Sequence, residues 1–208
     1  MSLYQKLQQR AEQGRPILVG MIGVGKFGSM FLAQVPNTPG VEVAAVADLS
    51  PFQARSNLLQ VGWTEEKLSA DSLDNAISKG NTYVTENWES LVEHPAIDVV
   101  VESTGSPTDA VDHILAAFAY GKHVVNVTVE ADALCGPLLA KKASSAGVVY
   151  SLAFGDQPAM ICDLVEWARV CGFPVSAAGR GHKWLPHFCR STPETVWEHY
   201  GLTPEQAK

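Results

Sequence analysis

No stretch of this 208-residue chain approaches the ~20 consecutive apolar residues that span a bilayer, so no membrane partner is expected. The amino terminus, MSLYQKLQQRAEQGRP, lacks the basic start and apolar run of a secretory signal, and the default compartment is cytoplasmic. Positive charge is scarce: 15 Lys and Arg stand against 22 Asp and Glu, for a net charge of −7 and a pI near 5.3. That balance argues against nucleic acid, whose backbone needs a basic surface. Cysteine is sparse, and Cys135, Cys162, Cys171 and Cys189 form no CxxC pair. Their apolar surroundings predict buried free thiols in a reducing compartment. Repeats with a period of about 20–50 residues are absent, which excludes solenoids and propellers. What remains is a chain with 46% hydrophobic residues, enough for a packed core.

Short β-rich runs alternate with stretches of helical length. Ser2 caps a first helix carrying Leu3, Leu7 and Ala11 at i, i+4 spacing, and Gly14 and Pro16 end it. Ile17 to Ile22 is apolar throughout, as a strand buried on both faces must be. Further strands are expected at Val41–Ala47, Thr82–Val84, Ile97–Val101, His123–Val127 and Val148–Leu152. Helices are expected at Ser29–Val35, Ser50–Leu59, around Trp88 and Leu91, Ser106–Tyr120 and Ala131–Ala146. Residues 62–80 read as an insertion or a short extra helix. Strands separated by helices indicate βαβ units, and right-handed crossovers turn these into an α/β, doubly wound parallel sheet of the Rossmann type over residues 1–156. Residues 157–208 read as the start of a second, substrate and dimerisation domain, with a helix over Gln157–Cys171 and a strand over Phe173–Ala178. Thr192-Pro193 and Gly201 bracket one further helix. Thr203-Pro204-Glu205-Gln206 is a capping box that opens another only two residues before the last, so a truncated parent is expected.

Gly23-Val24-Gly25-Lys26-Phe27-Gly28 is G-x-G-x-x-G between a buried strand and a helix. In that setting Gly23 permits the tight turn, Gly25 lets the backbone approach a pyrophosphate, and Gly28 lets the helix lie close to the strand. The bare helix tip then faces the phosphates. The bland reading is a glycine-rich turn with no ligand. Asp48, twenty residues after Gly28 in the sequence, stands where an acid accepts from the adenosine ribose hydroxyls and repels a 2′-phosphate. This favours NAD, with NADP the alternative; Arg55 further on softens the preference. Asp48 also reads as a plain cap of the Ser50 turn.

Ligands of open α/β sheets sit at the carboxyl ends of the strands. Thr104, Gly105 and Ser106 follow one strand and fall beside the cofactor; Asn126 and Glu130 follow the next, toward its nicotinamide end. Asp156 stands at the edge after that and reads equally as the cap of the helix at Pro158. Arg180, His182 and Lys183 read as an anchor for a carboxylate or phosphate, or as a solvated basic loop. Glu102 and Asp98 read as ordinary strand-end residues. His182, His187 and Cys189 match no zinc spacing, and no metal is expected.

ILVGMIGVGKFGSMF, IDVVVESTG, GKHVVNVTVEAD, GVVYSLAFGDQP and SAAGRGHK together resemble homoserine-dehydrogenase-like oxidoreductases. The likeness is to the branch with a C-terminal SAF domain, which includes a deoxyxylulose-phosphate-reductoisomerase-like enzyme. The resemblance implies a Rossmann domain, then a substrate and dimerisation domain, then the SAF module, with a homo-oligomer in the full-length protein. It also implies hydride transfer between a nicotinamide and a small polar hydroxy or carbonyl substrate bearing a carboxylate or phosphate. Where homoserine dehydrogenases carry a lysine after GKHVV, this chain reads NVTVEAD, with Glu130 and no lysine, so homoserine as substrate does not carry over. Glu130, Asp156 and Lys183 are the candidates for proton transfer or substrate orientation, and Arg180 for anion anchoring. A non-catalytic dinucleotide-binding sensor or scaffold is the competing reading.

Overall fold

The computed structural model describes residues 2–153, 157–179, 185–192, 194–195 and 203. The chain divides into two compact units, residues 1–159 and 160–208. In the first, α1 (Leu3–Glu12) is closed by a reciprocal box between Ser2 and Gln5, yet none of its residues is buried. β1 (Ile17–Ile22) leads through the glycine turn into α2 (Lys26–Gln34), and β2 (Val41–Ala47) into α3 (Pro51–Gln60). The polar stretch between residues 62 and 80 does hold a short helix, α4 (Leu73–Lys79), capped by Ser72 and ended by left-handed Gly80. Then follow β3 (Tyr83–Thr85), α5 (Trp88–Glu93), β4 (Val99–Glu102), α6 (Pro107–Ala119), β5 (His123–Asn126), α7 (Val129–Ala146) and β6 (Tyr150–Leu152).

The six strands are parallel, in the order β3-β2-β1-β4-β5-β6. Three strands run outward from β1 to one edge, after which the chain returns to lay β4 against β1. The order therefore reverses between β1 and β4, and the helices after these two strands leave on opposite faces, opening a crevice at their carboxyl ends. Because side chains alternate along a strand, Ile22, Val100 and Val124 point to one face and Met21 and Val101 to the other. The first face is covered by Leu91, Val92, Ile114, Phe118 and Leu139, the second by Leu32, Leu58 and Leu68. This two-sided burial is why the strands read as continuous apolar runs.

α5 lies directly on β1: a Cβ built on Gly20 would stand 2.2 Å from Leu91 Cδ2. α7 bends at Cys135 (φ −149°, ψ 19°), because Pro137 removes a helical donor and its ring clashes with the preceding turn. Among the described residues no helix is long and apolar enough to cross a membrane.

Two expectations fail beyond the sheet. α8 (Gln157–Val170) forms as the periodicity required, but Phe173–Ala178 is not a strand. A strand exists only with a ladder partner; among the described residues this segment pairs with none, and Pro174 offers no amide to donate. The cysteines are free, as expected, but not buried: Cys162, Cys171 and Cys189 are exposed and Cys135 is half-buried. Apolar neighbours in sequence bury a thiol only where a second layer covers them, and no described residue of the second unit is buried. Among the described residues its only other element is a 3-10 turn at Phe188–Arg190. The helix expected between Thr192 and Gly201 and the one opened by Thr203 lie mostly outside the described residues.

Gly20→Val should destabilise the fold by about 1–3 kcal/mol, the usual cost of overpacking a closed site. Urea denaturation followed by circular dichroism measures this, and an unchanged midpoint would contradict the contact between α5 and β1.

Candidate functional site

The turn after β1 uses its glycines in two different ways. Gly23 has φ +91°, and a Cβ there would lie 2.8 Å from the Ser103 carbonyl carbon. At Gly28 the added atom would meet Gly23 O and Met21 Cε, both at 2.8 Å. These two positions are constrained by packing. At Gly25 a Cβ would find nothing within 4 Å, so this glycine instead leaves open space at the tip of α2.

That tip is bare. Gly25 is the N-cap of α2 and supplies no side-chain cap; Ser106 is the N-cap of α6, and its hydroxyl makes no cap bond either. Ser2, Ser50, Ser72 and Asn87, by contrast, each cap their helices with a side chain. Gly25 and Ser106 both line one cavity of about 560 Å³ at the crevice between the ends of β1 and β4. Two helix N-termini with positive dipole ends thus open on the same space, the arrangement a dianionic diphosphate requires.

The rest of the lining is acidic: Asp48, Glu86, Asp109 and Asp112 contribute, and among the described residues no Lys or Arg does. Asp48 Oδ2 accepts from the Val24 amide at 2.9 Å and Oδ1 from the Ser50 amide at 3.0 Å. Each oxygen keeps a lone pair for a ligand hydroxyl. Arg55 does not reach this cavity; its guanidinium donates to Leu68 O and to Glu65 Oε2, each at 2.6 Å. It therefore offers nothing to a 2′-phosphate in this conformation.

At the end of β4 the chain buries a carboxylate. Glu102 has no exposed surface, and its Oε1 accepts from the Thr104 amide at 3.1 Å and the Thr104 hydroxyl at 2.5 Å. His113 Nδ1 lies 3.5 Å from the same oxygen. Burial works to raise the carboxyl's pKa, but the groups facing it, His113 and then Thr104 foremost, outweigh it and hold the carboxyl below its ordinary value. The His113 ring packs against Trp88 at a tilt of 59° with centroids 4.5 Å apart, and both residues line the cavity. Gly105 N donates to Thr128 Oγ1 at 3.1 Å, tying the loop after β4 to the loop after β5.

Of the residues expected at the site, the fold gathers Gly23, Gly25, Asp48, Thr104 and Ser106 around one cavity, with Lys26, Phe27 and Gly28 opening α2 beside it and Gly105 in the adjoining turn. Asn126 is brought to the neighbouring strand end but is fully buried, and it does not line the cavity. Its Oδ1 accepts from the Thr128 amide and its Nδ2 donates to Thr128 O and Tyr150 Oη. Glu130 is exposed on the first turn of α7, away from the lining residues. Asp156, Arg180, His182 and Lys183 lie outside the described residues. Sequence reasoning missed Glu86, Trp88, Asp109, Asp112 and His113. The signal for the last three was present: Ser106, Asp109, Asp112 and His113 fall at helical i, i+3 and i+4 spacing on one face of α6.

A larger cavity, about 1030 Å³, opens at the amino ends of β1 and β2 beside Arg15, Val41 and Trp63. It is remote from the glycine turn, and size alone does not outweigh the polarity of the sheet.

The homoserine dehydrogenase NAD-binding domain matches residues 23–152, more than half of the chain, and the catalytic domain of oxidoreductase DRL matches residues 155–207. A homoserine dehydrogenase of Methylobacillus glycogenes is 29% identical over 136 residues, covering 63% of this chain and 30% of that protein. The crystal structure of a homoserine dehydrogenase from Thiobacillus denitrificans superposes with a TM-score of 0.53 at 23% identity, over 66% of this chain and 29% of that one. An NAD-binding oxidoreductase from Klebsiella pneumoniae gives a TM-score of 0.51 at 23% identity, over 76% and 39%. These two likenesses speak for the fold. The chain spans about a third of the length of the relatives it matches.

Gly25→Val should leave the thermal midpoint nearly unchanged, since the new side chain enters open space, while cofactor affinity falls about tenfold or more through loss of charge-assisted bonds to the helix tip. Gly28→Val should lower both. Melting curves alongside NADH titration check the pair; equal affinity for NADH in Gly25→Val and the parent would contradict the site.

Proposed function

This chain belongs to the homoserine dehydrogenase NAD-binding domain family, and from that premise we propose that it is the cofactor-binding part of an NAD-dependent oxidoreductase. The open space above Gly25, at the tip of an uncapped helix and at the reversal of strand order, carries this reading. The cofactor, when bound, supplies the hydride acceptor or donor for a hydroxy or carbonyl carbon of a small polar substrate.

The protein's own groups bind and orient. The amides opening α2 and the Ser106 hydroxyl hold the diphosphate. Asp48 accepts from the adenosine ribose and keeps its two backbone bonds. The acidic lining selects against an additional phosphate, because like charges repel and among the described residues no Lys or Arg lines the cavity to offset them. We therefore assign NAD as the preferred cofactor over NADP.

The substrate groups are proposed from chemistry alone. Asp156, Arg180 and Lys183 fall within residues 155–207, the segment matched by the DRL catalytic domain, and supply an acid–base group and an anion anchor for a carboxylate- or phosphate-bearing substrate. Glu130, exposed on the first turn of α7, is proposed as a further acid–base or orienting group. In the full-length protein we expect a homo-oligomer of the cytoplasm with a C-terminal SAF module.

NADH should bind at least about tenfold more tightly than NADPH, and Asp48→Asn should narrow that ratio. Fluorescence titration of both reduced cofactors decides it. Tighter binding of NADPH by the parent chain would contradict the role given to Asp48.

A further inference from the structure

Glu102 is the one acidic side chain among the described residues with no exposed surface at all, and its two oxygens are used very unequally. Oε1 faces three polar groups: the Thr104 amide, the Thr104 hydroxyl and His113 Nδ1. Oε2 is buried and has no hydrogen-bond partner. An acceptor left unmatched in the interior is costly, so such a group persists where the fold draws something from it.

What it draws is the shape of the turn leading into α6. The Thr104 hydroxyl spends its hydrogen on Glu102, which leaves its lone pair to accept from the Ser106 amide at 3.3 Å. Gly105 N is in turn held by Thr128 Oγ1. Every backbone amide from 104 to 106 is thereby turned inward onto protein acceptors. The Ser106 hydroxyl makes no cap bond to its own helix, and Ser106 lines the cavity at the N-terminus of the 13-residue α6. Only an ionised carboxylate serves several donors on one oxygen well; an amide oxygen is a weaker acceptor, and its NH2 would bury a donor where Oε2 now lies.

We propose that Glu102 is a positioning residue for the dinucleotide: its carboxylate, acting through Thr104, fixes the direction in which Ser106 and the tip of α6 meet the diphosphate. The inference rests on the cofactor-binding reading above and extends it to a residue that does not line the cavity. Glu102 is distinct in kind from Asp48, which reaches the cavity itself.

The test is NADH titration of the intact chain at a temperature where every variant is folded, with melting curves recorded in parallel. Glu102→Gln keeps the size and should weaken NADH binding about tenfold, as should Thr104→Val, which removes the hydroxyl relay. Thr104→Ser keeps both donors and should restore parental affinity. A purely structural role would lower the melting temperature of Glu102→Gln and Thr104→Val while leaving the dissociation constant of the folded protein unchanged, and that result overturns the proposal. If Glu102→Gln does not fold, the Thr104 pair decides alone: equal affinities in Val and Ser variants overturn it. Weak binding in Gly25→Val with parental binding in Thr104→Val removes this inference but leaves the cofactor site. No saturable NADH binding by the parent removes both.

Discussion

The site depends on one backbone constraint, the left-handed turn at Gly23 pressed against the backbone of Ser103. With φ at +91° and a would-be Cβ 2.8 Å from the Ser103 carbonyl carbon, no other residue type is accommodated without moving β4. The turn redirects the chain from the buried centre of the sheet into α2, and it does so at the point where the strand order reverses. Its geometry is held from the other side by Asp48, whose carboxylate binds the next amide, Val24. Strands β1, β2 and β4 thus end within a few residues of one another, and the mouth of the cavity is formed by the short turns that leave them.

The electrostatics of that mouth combine two opposing contributions. Asp and Glu line it and, among the described residues, no Lys or Arg does, while the backbone contributes the positive ends of α2 and α6. A short-range backbone field holds a diphosphate locally, and the surrounding carboxylates limit how much further negative charge a ligand carries. A basic side chain would bind phosphate more indiscriminately; bare helix tips accept it only where the amides point. Buried Glu102 follows the same logic one layer down, as a carboxylate spent on shaping a turn.

Much of this was legible in the residues. Ile17–Ile22 and Val41–Ala47 are delimited correctly because both-face burial leaves an uninterrupted apolar run, and Ser50-Pro51 marks its helix by cap and first-turn proline. The glycine motif is legible because Gly23 and Gly28 each answer a local steric need, while Gly25 leaves open space beside the cavity. Legibility fails where the determinant is a tertiary partner. Val148 and Val149 look like strand residues, but the ladder with β5 begins only at Tyr150. Phe173–Ala178 has β composition and no partner, and the cysteines have apolar neighbours and no covering layer. Glu102 reads as a plain strand-end acid; only the arrival of His113 and Thr104 against it reveals a buried, ordered carboxylate. Asn126 reads as a ligand contact and is instead committed to the turn that precedes α7.

The central claim, that a dinucleotide sits at the reversal point between β1 and β4, is tested most directly by amide nuclear magnetic resonance of the labelled chain during NAD addition. The account places the largest saturable shifts at Val24 to Gly28 and at Gly105 to Thr108, with little change at the amino ends of the strands. Shifts confined to the surroundings of Arg15, Val41 and Trp63 would locate the ligand in the opposite cavity and contradict it.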